Sequence, residues 1–315
     1  MEAIRVNAHI ACQQPSLLER ITGQVVTWDE WCDEFAKILE KRESKPNTQR
    51  TRKSQMKRLR ALFPLEHHAG KVDTKMCAGA LLELEEAGKA RTAQAMRSLM
   101  IDCFDRQIAR GIRKDNPAQV TDRVSVKVKR ARLPFDVFLT LYRTTSIVWL
   151  RNAMALAIVS GQARESIATA RFTDVHDDAW WNERSKTGAR IVLPLELRLE
   201  CFGMSLGDVI RQCRSTAILS KFVVHQTERG RGLQLGRHLH VDQITRAFTE
   251  EIAKLGADWG EKFPPTFHEV RSLSGRMYKE EGRINPQELF GHKDPRTTAV
   301  YTDGRGEWVK VGIKK

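Results

Sequence analysis

The sequence predicts a mainly α-helical chain with one small antiparallel β-sheet (α+β), divided between a helical N-terminal domain and a larger second domain. Three features predict it. Apolar residues recur at helical spacing through most of the 315 residues, with capping residues and glycines at the segment ends. One stretch changes character: DVHDDAWWNERSKTGARIVLPL, 174–195, reads as short strands around a Lys-Thr-Gly turn. A basic segment with turn signals interrupts the helices, and single cores usually stop growing near ~250–300 residues.

The first element starts at Thr27, where Thr27 and Glu30 form a capping-box pattern; Trp28, Trp31, Phe35, Ile38 and Leu39 follow at helical spacing. A second helix runs through TQRTRKSQMKRLRALF, turning Met56, Leu59 and Phe63 to a core. Its other side carries Arg50, Arg52, Lys53, Lys57, Arg58 and Arg60, six cations in eleven residues without an acid. A charge run is usually a solvated face, but unpaired like charges repel, so a polyanion is the expected partner. KMCAGALLELEEAG and RTAQAMRSLMIDCFDRQIARG are two more helices, stopping at Gly88 and Gly111. Residues 27–113 thus read as a small all-helical domain. Residues 114–132, with Asp115-Asn116-Pro117 and the alternating VSVKVKRAR, read as a basic linker offering Lys127, Lys129 and Arg130.

The second domain, 133–301, opens with helices near PFDVFLTLYRTT and IVWLRNAMALAIVSG. After the strands come a helix near 206–217, a further strand at KFVVHQ, and the helices VDQITRAFTEEIAKLG, TFHEVRSLSGRMYKEEG and PQELFGH. Residues 1–26 read as a linker, and 302–315 as a tail.

Charge narrows the function. Fifty-three lysines and arginines against 39 acids leave +14, a surplus suited to nucleic acid. The basic residues are spread over several segments without one amphipathic anchor helix, which disfavours a membrane surface. No run of about 18 apolar residues exists, and the N-terminus lacks a secretion signal. The six cysteines form no C-x-x-C pair and read as reduced thiols of a cytoplasmic protein. No metal or other cofactor is expected: H-E-V-R is not H-E-x-x-H, His238-Leu239-His240 lacks a partner at ligand spacing, and no phosphate-binding loop is present.

Four separated fragments remain: SGQARESIATARFTDV, NERSKTGARIVLP, PPTFHEVRSLSGRMY and LFGHKDPRTTAVYTD. Singly each is weak. Tyr301 alone is more readily a packing residue, and His268 or His292 alone a satisfied buried imidazole. Lys186-Thr-Gly with Ser54-Gln-Met-Lys57 imitates two β-lactamase boxes without the third. Together, in order and spacing, the four resemble the catalytic boxes of the tyrosine recombinases, closest to the lambda-type phage integrases. The resemblance covers the second domain; the helical domain matches in size, order and basicity.

The resemblance implies a SAM-like core-binding domain and a tyrosine recombinase catalytic domain closing on duplex DNA as a C-shaped clamp. It implies a site-specific recombinase that integrates and excises a phage genome through a 3′-phosphotyrosine and a Holliday junction, as a homotetramer in the host cytoplasm, at the nucleoid. Host DNA-bending and excision factors are implied partners. Tyr301 matches the nucleophile, His268 and Arg271 the H-x-x-R pair, His292 the second histidine, and Lys186 the hairpin lysine acting as general acid. The residue types suit the chemistry. A phenol can attack a phosphodiester and store its bond, guanidiniums and imidazoles can hold the charged oxygens, and a lysine can protonate the departing 5′-oxygen.

One box departs from the pattern. The family's first arginine falls on Ala163, two residues after Gly161, a register that Asp174 supports; Ser166 stands where an acid is frequent. Ala163 is read as an introduced, inactivating replacement, with restoration by Ala163→Arg expected to raise cleavage. Arg164, one residue on, is the fallback. The extra arm-site-binding domain of lambda-type integrases is expected to have been removed ahead of residue 27, and the tail GRGEWVKVGIKK is expected to dock on a neighbouring subunit. Alternatives are a cleavage-deficient DNA-binding form of the same protein and a type IB topoisomerase. An RNA-binding structural protein is more remote, because no stacking-aromatic motif is present.

Overall fold

The structure is a computed structural model describing residues 26–126, 128–230 and 234–303. Lys127, the segment before Val26 and the tail after Asp303 therefore lie outside the described residues. The chain forms two compact units that divide between Val128 and Lys129.

In the first unit, α1 (Trp28–Glu40) begins as its sequence requires. The Thr27 hydroxyl accepts from Glu30 N, and the Glu30 carboxylate accepts from Thr27 N. Trp28, Trp31, Phe35 and Leu39 recur along one face and are buried. They pack against Leu59 of α2 (Pro46–Arg60), Cys77 and Leu81 of α3 (Thr74–Glu86), and Met96, Met100 and Phe104 of α4 (Ala90–Ala109). Gly88 and Gly111 adopt φ +71° and +72° just past α3 and α4, the left-handed turn a Cβ would oppose. Burial pushes the Cys32 and Cys77 thiols up to about 12, and those of Cys103 and Cys213 up as well, which makes them packing groups.

Much of 114–132 belongs to this first core. Asn116 Nδ2 donates to Ile101 O and Asp105, and Ala118 and Val124 are buried with the helices. From Lys129 onward the backbone belongs to the second unit: Phe263 N donates to Lys129 O at 2.8 Å and Ala131 N to Phe263 O at 2.9 Å.

The second unit is built around α6 (Val148–Ser160), buried along every face from Ala153 to Ser160. A helix apolar all round must sit inside a layer of others. Those are α5 (Phe135–Thr144), α7 (Arg164–Thr169), α8 (Leu206–Arg214), α9 (Val241–Lys254) and α10 (His268–Glu281). Two short helices, α11 (Pro286–Phe290) and α12 (Pro295–Thr302), follow. β1 (Val175–His176), β2 (Ala179–Glu183) and β3 (Arg190–Pro194) form an antiparallel sheet in that order, with Asn182 opposite Ile191. β4 (Arg198–Leu199) and β5 (Met204–Ser205) form a second pair that the sequence did not announce.

Two expectations need correction. KFVVHQ is not a strand: Val223 and Val224 are buried, but among the described residues it forms only the isolated bridges Arg171–Phe222 and His225–His238. Local bonds take the backbone instead. Ser220 Oγ donates to Gly236 O and accepts from Phe222 N, while His225 Nδ1 lies 3.0 Å from Phe222 O. The second concerns Trp180-Trp181, which the sequence reads as a pair filling the core and of which only one does. Alternation buries Trp180 and turns Trp181 outward, 46% exposed, where it stacks on His176.

Candidate active site

Three backbone turns build the site. α6 ends at Gly161, whose φ of +64° suits glycine; a Cβ there would lie 2.9 Å from both Leu289 and Phe290. The turn exposes the Gly161 carbonyl to Arg271. Gln162 holds the next residue in place, donating to Ser160 O and Leu289 O and accepting from Asn182. α11 ends at Gly291, φ +58°, which leaves the Phe290 carbonyl free of its helix and puts His292 directly after the turn. Asp294 then caps α12 by accepting from Arg296 N, Pro295 takes the first position, and Tyr301 falls on the last turn.

The predicted residues meet here. His268 opens α10 and Arg271 lies three residues on, sharing its face. Arg271 is 2% exposed: its Nη1 donates to Gly161 O at 2.5 Å, and its Nη2 approaches Phe290 O at 3.4 Å and His292 Nε2 at 3.1 Å. Arginine only donates, so His292 Nε2 must be the acceptor and Nδ1 carries the hydrogen, donated to Thr298 Oγ1 at 2.9 Å. The Tyr301 ring lies 5.6 Å from His268, 5.5 Å from His292 and 5.3 Å from the Arg271 guanidinium carbon.

The other two tyrosines have packing roles. Tyr278 is fully buried and donates to Val159 O at 2.7 Å, while the Tyr142 hydroxyl meets Gln212 at 3.1 Å.

The cluster is strongly cationic. Burial, then the Arg271 and Arg184 charges, pull His292 down to about 4. Burial also lowers His268, with Arg271, Arg164 and Arg132 adding to it and Glu269 opposing, although the residue as a whole is exposed. Arg271 is drawn down to about 10 by burial and by Arg184, against the pull of Tyr301, so it stays charged near neutral pH. Among the described residues no carboxylate bonds to Arg271 or His292, and the buried Arg271 Nε lacks an acceptor.

Other predicted residues sit elsewhere. Lys186 is exposed on the β2–β3 turn, with no side-chain bond to the cluster. Ala163 is the residue before α7, in extended backbone, and Arg164 opens that helix. The Arg164 Nη1 donates to Thr245 at 2.7 Å and lies 3.9 Å from Asp242, on the α9 side of the site.

The cationic side of α2 is smaller than its sequence suggested. Arg60 pairs with Asp29 and Asp33, and Arg52 donates to Leu39 O, Arg42 O and Ser44 at the end of α1, because acids and carbonyls distant in sequence meet them. Arg50, Lys53 and Lys57 remain exposed, as does Lys129, while Arg130 donates to Pro264 O.

Three residues at the cluster carried no sequence signal. Arg132 is 7% exposed and ties the site together: Nη1 meets Glu269 at 3.1 Å, Nη2 donates to Val300 O at 2.6 Å and Nε to Asp303 O at 2.9 Å. Glu269, beside His268, is 3% exposed. Arg184, just past the end of β2, donates to Phe290 O at 2.9 Å. A buried arginine looks like any other arginine in a basic sequence, and only the Glu of H-E-V-R stood next to a marked residue.

Comparison with known proteins agrees with this geometry. The sequence profile of the phage integrase family matches residues 131–307. The integrase of Escherichia phage HK022 is 32% identical across 100% of this chain and 87% of its own length. That of Enterobacteria phage P21 is 33% identical across 94% of this chain and 80% of its own. Among solved structures, a lambda integrase tetramer bound to a Holliday junction superposes with a TM-score of 0.86 at 32% identity, covering 99% of this chain and 89% of that one. A lambda integrase dimer bound to a COC′ core site gives 0.83 at 31% identity, with 99% and 89% covered. The chain belongs to the phage integrase family: it is a tyrosine recombinase, a DNA strand transferase. These matches lend no support to the topoisomerase alternative. No helix among the described residues is long and apolar enough to cross a membrane.

Proposed function

We propose that this chain cuts and rejoins duplex DNA at specific sites through Tyr301, integrating and excising a phage genome. The Tyr301 oxygen would attack a backbone phosphorus and lose its proton as the O–P bond forms. The bond to the 5′-oxygen breaks, leaving a 3′-phosphotyrosine and a 5′-hydroxyl. Arg271 and His268 would donate to the phosphate oxygens, where charge accumulates, and His292 would join them once the phosphate draws Arg271 off its Nε2 and that nitrogen takes up a proton. Lys186, swinging in from the β2–β3 turn, would protonate the departing oxygen. Attack by a different 5′-hydroxyl reverses the step on a new strand, so the bond energy is conserved without a nucleotide cofactor.

The observation that carries this reading is the Tyr301 ring packed against both imidazoles and Arg271, in a cluster whose guanidinium has no acidic partner among the described residues. Lambda integrase has been seen as a dimer on a core site and as a tetramer on a Holliday junction. By analogy, four copies of this chain would exchange strands between two duplexes at the host nucleoid. The tail beyond Asp303 would dock on a neighbouring subunit, and host bending and excision factors would set direction. Exposed Arg50, Lys53, Lys57 and Lys129 would contact phosphates outside the cut.

The test is a core-site duplex nicked so that the cleaved fragment diffuses away. A covalent adduct mapping to Tyr301, abolished by Tyr301→Phe, is expected; an adduct that survives Tyr301→Phe overturns the assignment. Joining of two different duplexes separates recombination from relaxation of supercoils.

A further inference from the structure

We propose that Arg184 supplies the second guanidinium that clamps the scissile phosphate, replacing the arginine this chain lacks at Ala163; the inference rests on the reading of Tyr301 given above. Arg184 directly follows β2, at the root of the turn that carries Lys186. Its backbone holds the turn closed: its N donates to Ala189 O at 2.9 Å and its carbonyl accepts from Gly188 N at 2.8 Å. Its side chain crosses instead to α11, where Nη1 donates to Phe290 O at 2.9 Å. Arg271 Nη2 approaches the same oxygen at 3.4 Å and His292 Nε2 at 3.1 Å.

Two guanidiniums thus converge on one carbonyl next to His292. Neither has a carboxylate partner among the described residues. Burial lowers both Arg271 and His292, and the nearby Arg184 charge adds to it. Like charges held together without a counterion form a site for an anion with several oxygens, which the phosphodiester is. Arg164 is less well placed for this. Its Nη1 is engaged by Thr245 with Asp242 beyond, so part of its charge is already answered.

The geometry also couples the clamp to the general acid. Arg184 and Lys186 flank Ser185 in one turn, so a phosphate that engages Arg184 draws the Lys186 segment toward the leaving oxygen. Cleavage should then respond to both residues in a way that Arg164 does not share.

The test measures single-turnover cleavage of the nicked core-site duplex by the full chain. Arg184→Ala should slow adduct formation by on the order of 10²–10³-fold, the usual effect of removing one donor from a developing oxyanion. Arg184→Lys should lie between, and Arg164→Ala should cost less than 10-fold in the same assay. A duplex with a neutral methylphosphonate at the scissile position separates charge from structure. There the Arg184→Ala defect should shrink at least 10-fold, because no anionic oxygen pair needs clamping.

Cleavage by Arg184→Ala at the parent rate, or an equal defect on both substrates, overturns the proposal. If the parent chain forms no adduct but Ala163→Arg does, the Tyr301 reading stands and Arg184 is not the clamp. If neither forms one, both readings fall.

Discussion

Replacing Arg132 by methionine tests whether one buried cation holds the nucleophile's helix. Arg132 and Glu269 are 7% and 3% exposed and meet at 3.1 Å, and the other two guanidinium donors reach Val300 O and Asp303 O at the end of α12. A cation there also answers the partial negative charge of a helix C-terminus. Arg132→Met removes a buried countercharge of Glu269 and the donors to two carbonyls, while methionine fills most of the space.

Breaking such a pair from one side costs about 3–5 kcal/mol. The second unit is of the size at which 1 kcal/mol shifts Tm by roughly 2–4 °C. The expected fall in Tm is therefore roughly 6–20 °C by calorimetry. Part of that cost is the buried carboxylate left short of a donor rather than the lost attraction, so Arg132→Met with Glu269→Leu should recover part of it. Cleavage should not recover, because the two Arg132 donors that hold the end of the Tyr301 helix stay missing. A single variant within 2 °C of the parent, or a double variant worse than the single, would refute the reasoning.

Four further outcomes are expected. His292 is held at about 4 when folded, against an ordinary value near 6.5. The unfolded chain therefore binds the extra proton between those values, and His268 shifts the same way. Tm should rise as pH climbs from about 4 to 6.5 and flatten above, and His292→Gln should reduce that slope. Gly161→Ala forces a Cβ into Leu289 and Phe290 at φ +64°; overpacking of this kind costs about 1–3 kcal/mol, readable as a lower urea midpoint. Lys53→Gln with Lys57→Gln should weaken binding across DNA sequences and lower the slope of log K against log salt by about 0.9 per lost phosphate contact. Arg52→Gln and Arg60→Gln should act mainly on thermal stability, since the fold already uses both side chains.

How much of this was legible in the chain itself depends on whether the signal is local. The Thr27 capping box, the stripe from Trp28 to Leu39, and the glycines closing α3 and α4 are written in neighbouring residues, because caps and periodicity act over one or two turns. The same holds for His268 and Arg271, one helical turn apart, and for the spacing of His292 and Tyr301. KFVVHQ misled because its strand-like composition is answered by side-chain bonds from Ser220 and His225. The α2 cations misled because Asp29 and Asp33, about thirty residues earlier, meet Arg60 only once the helices pack.

From its sequence alone, this protein is determined as a basic, mainly helical tyrosine recombinase whose nucleophile candidate is Tyr301, since order and spacing of reactive residues survive as a linear pattern. Tertiary structure alone decided which charges are free and which are held. Arg132 reaches Glu269 across 137 positions, and Arg184 reaches Phe290 across 106. No local rule encodes such pairings: they follow from how α6 and α10 pack and from where the turns at Gly161 and Gly291 leave a carbonyl exposed.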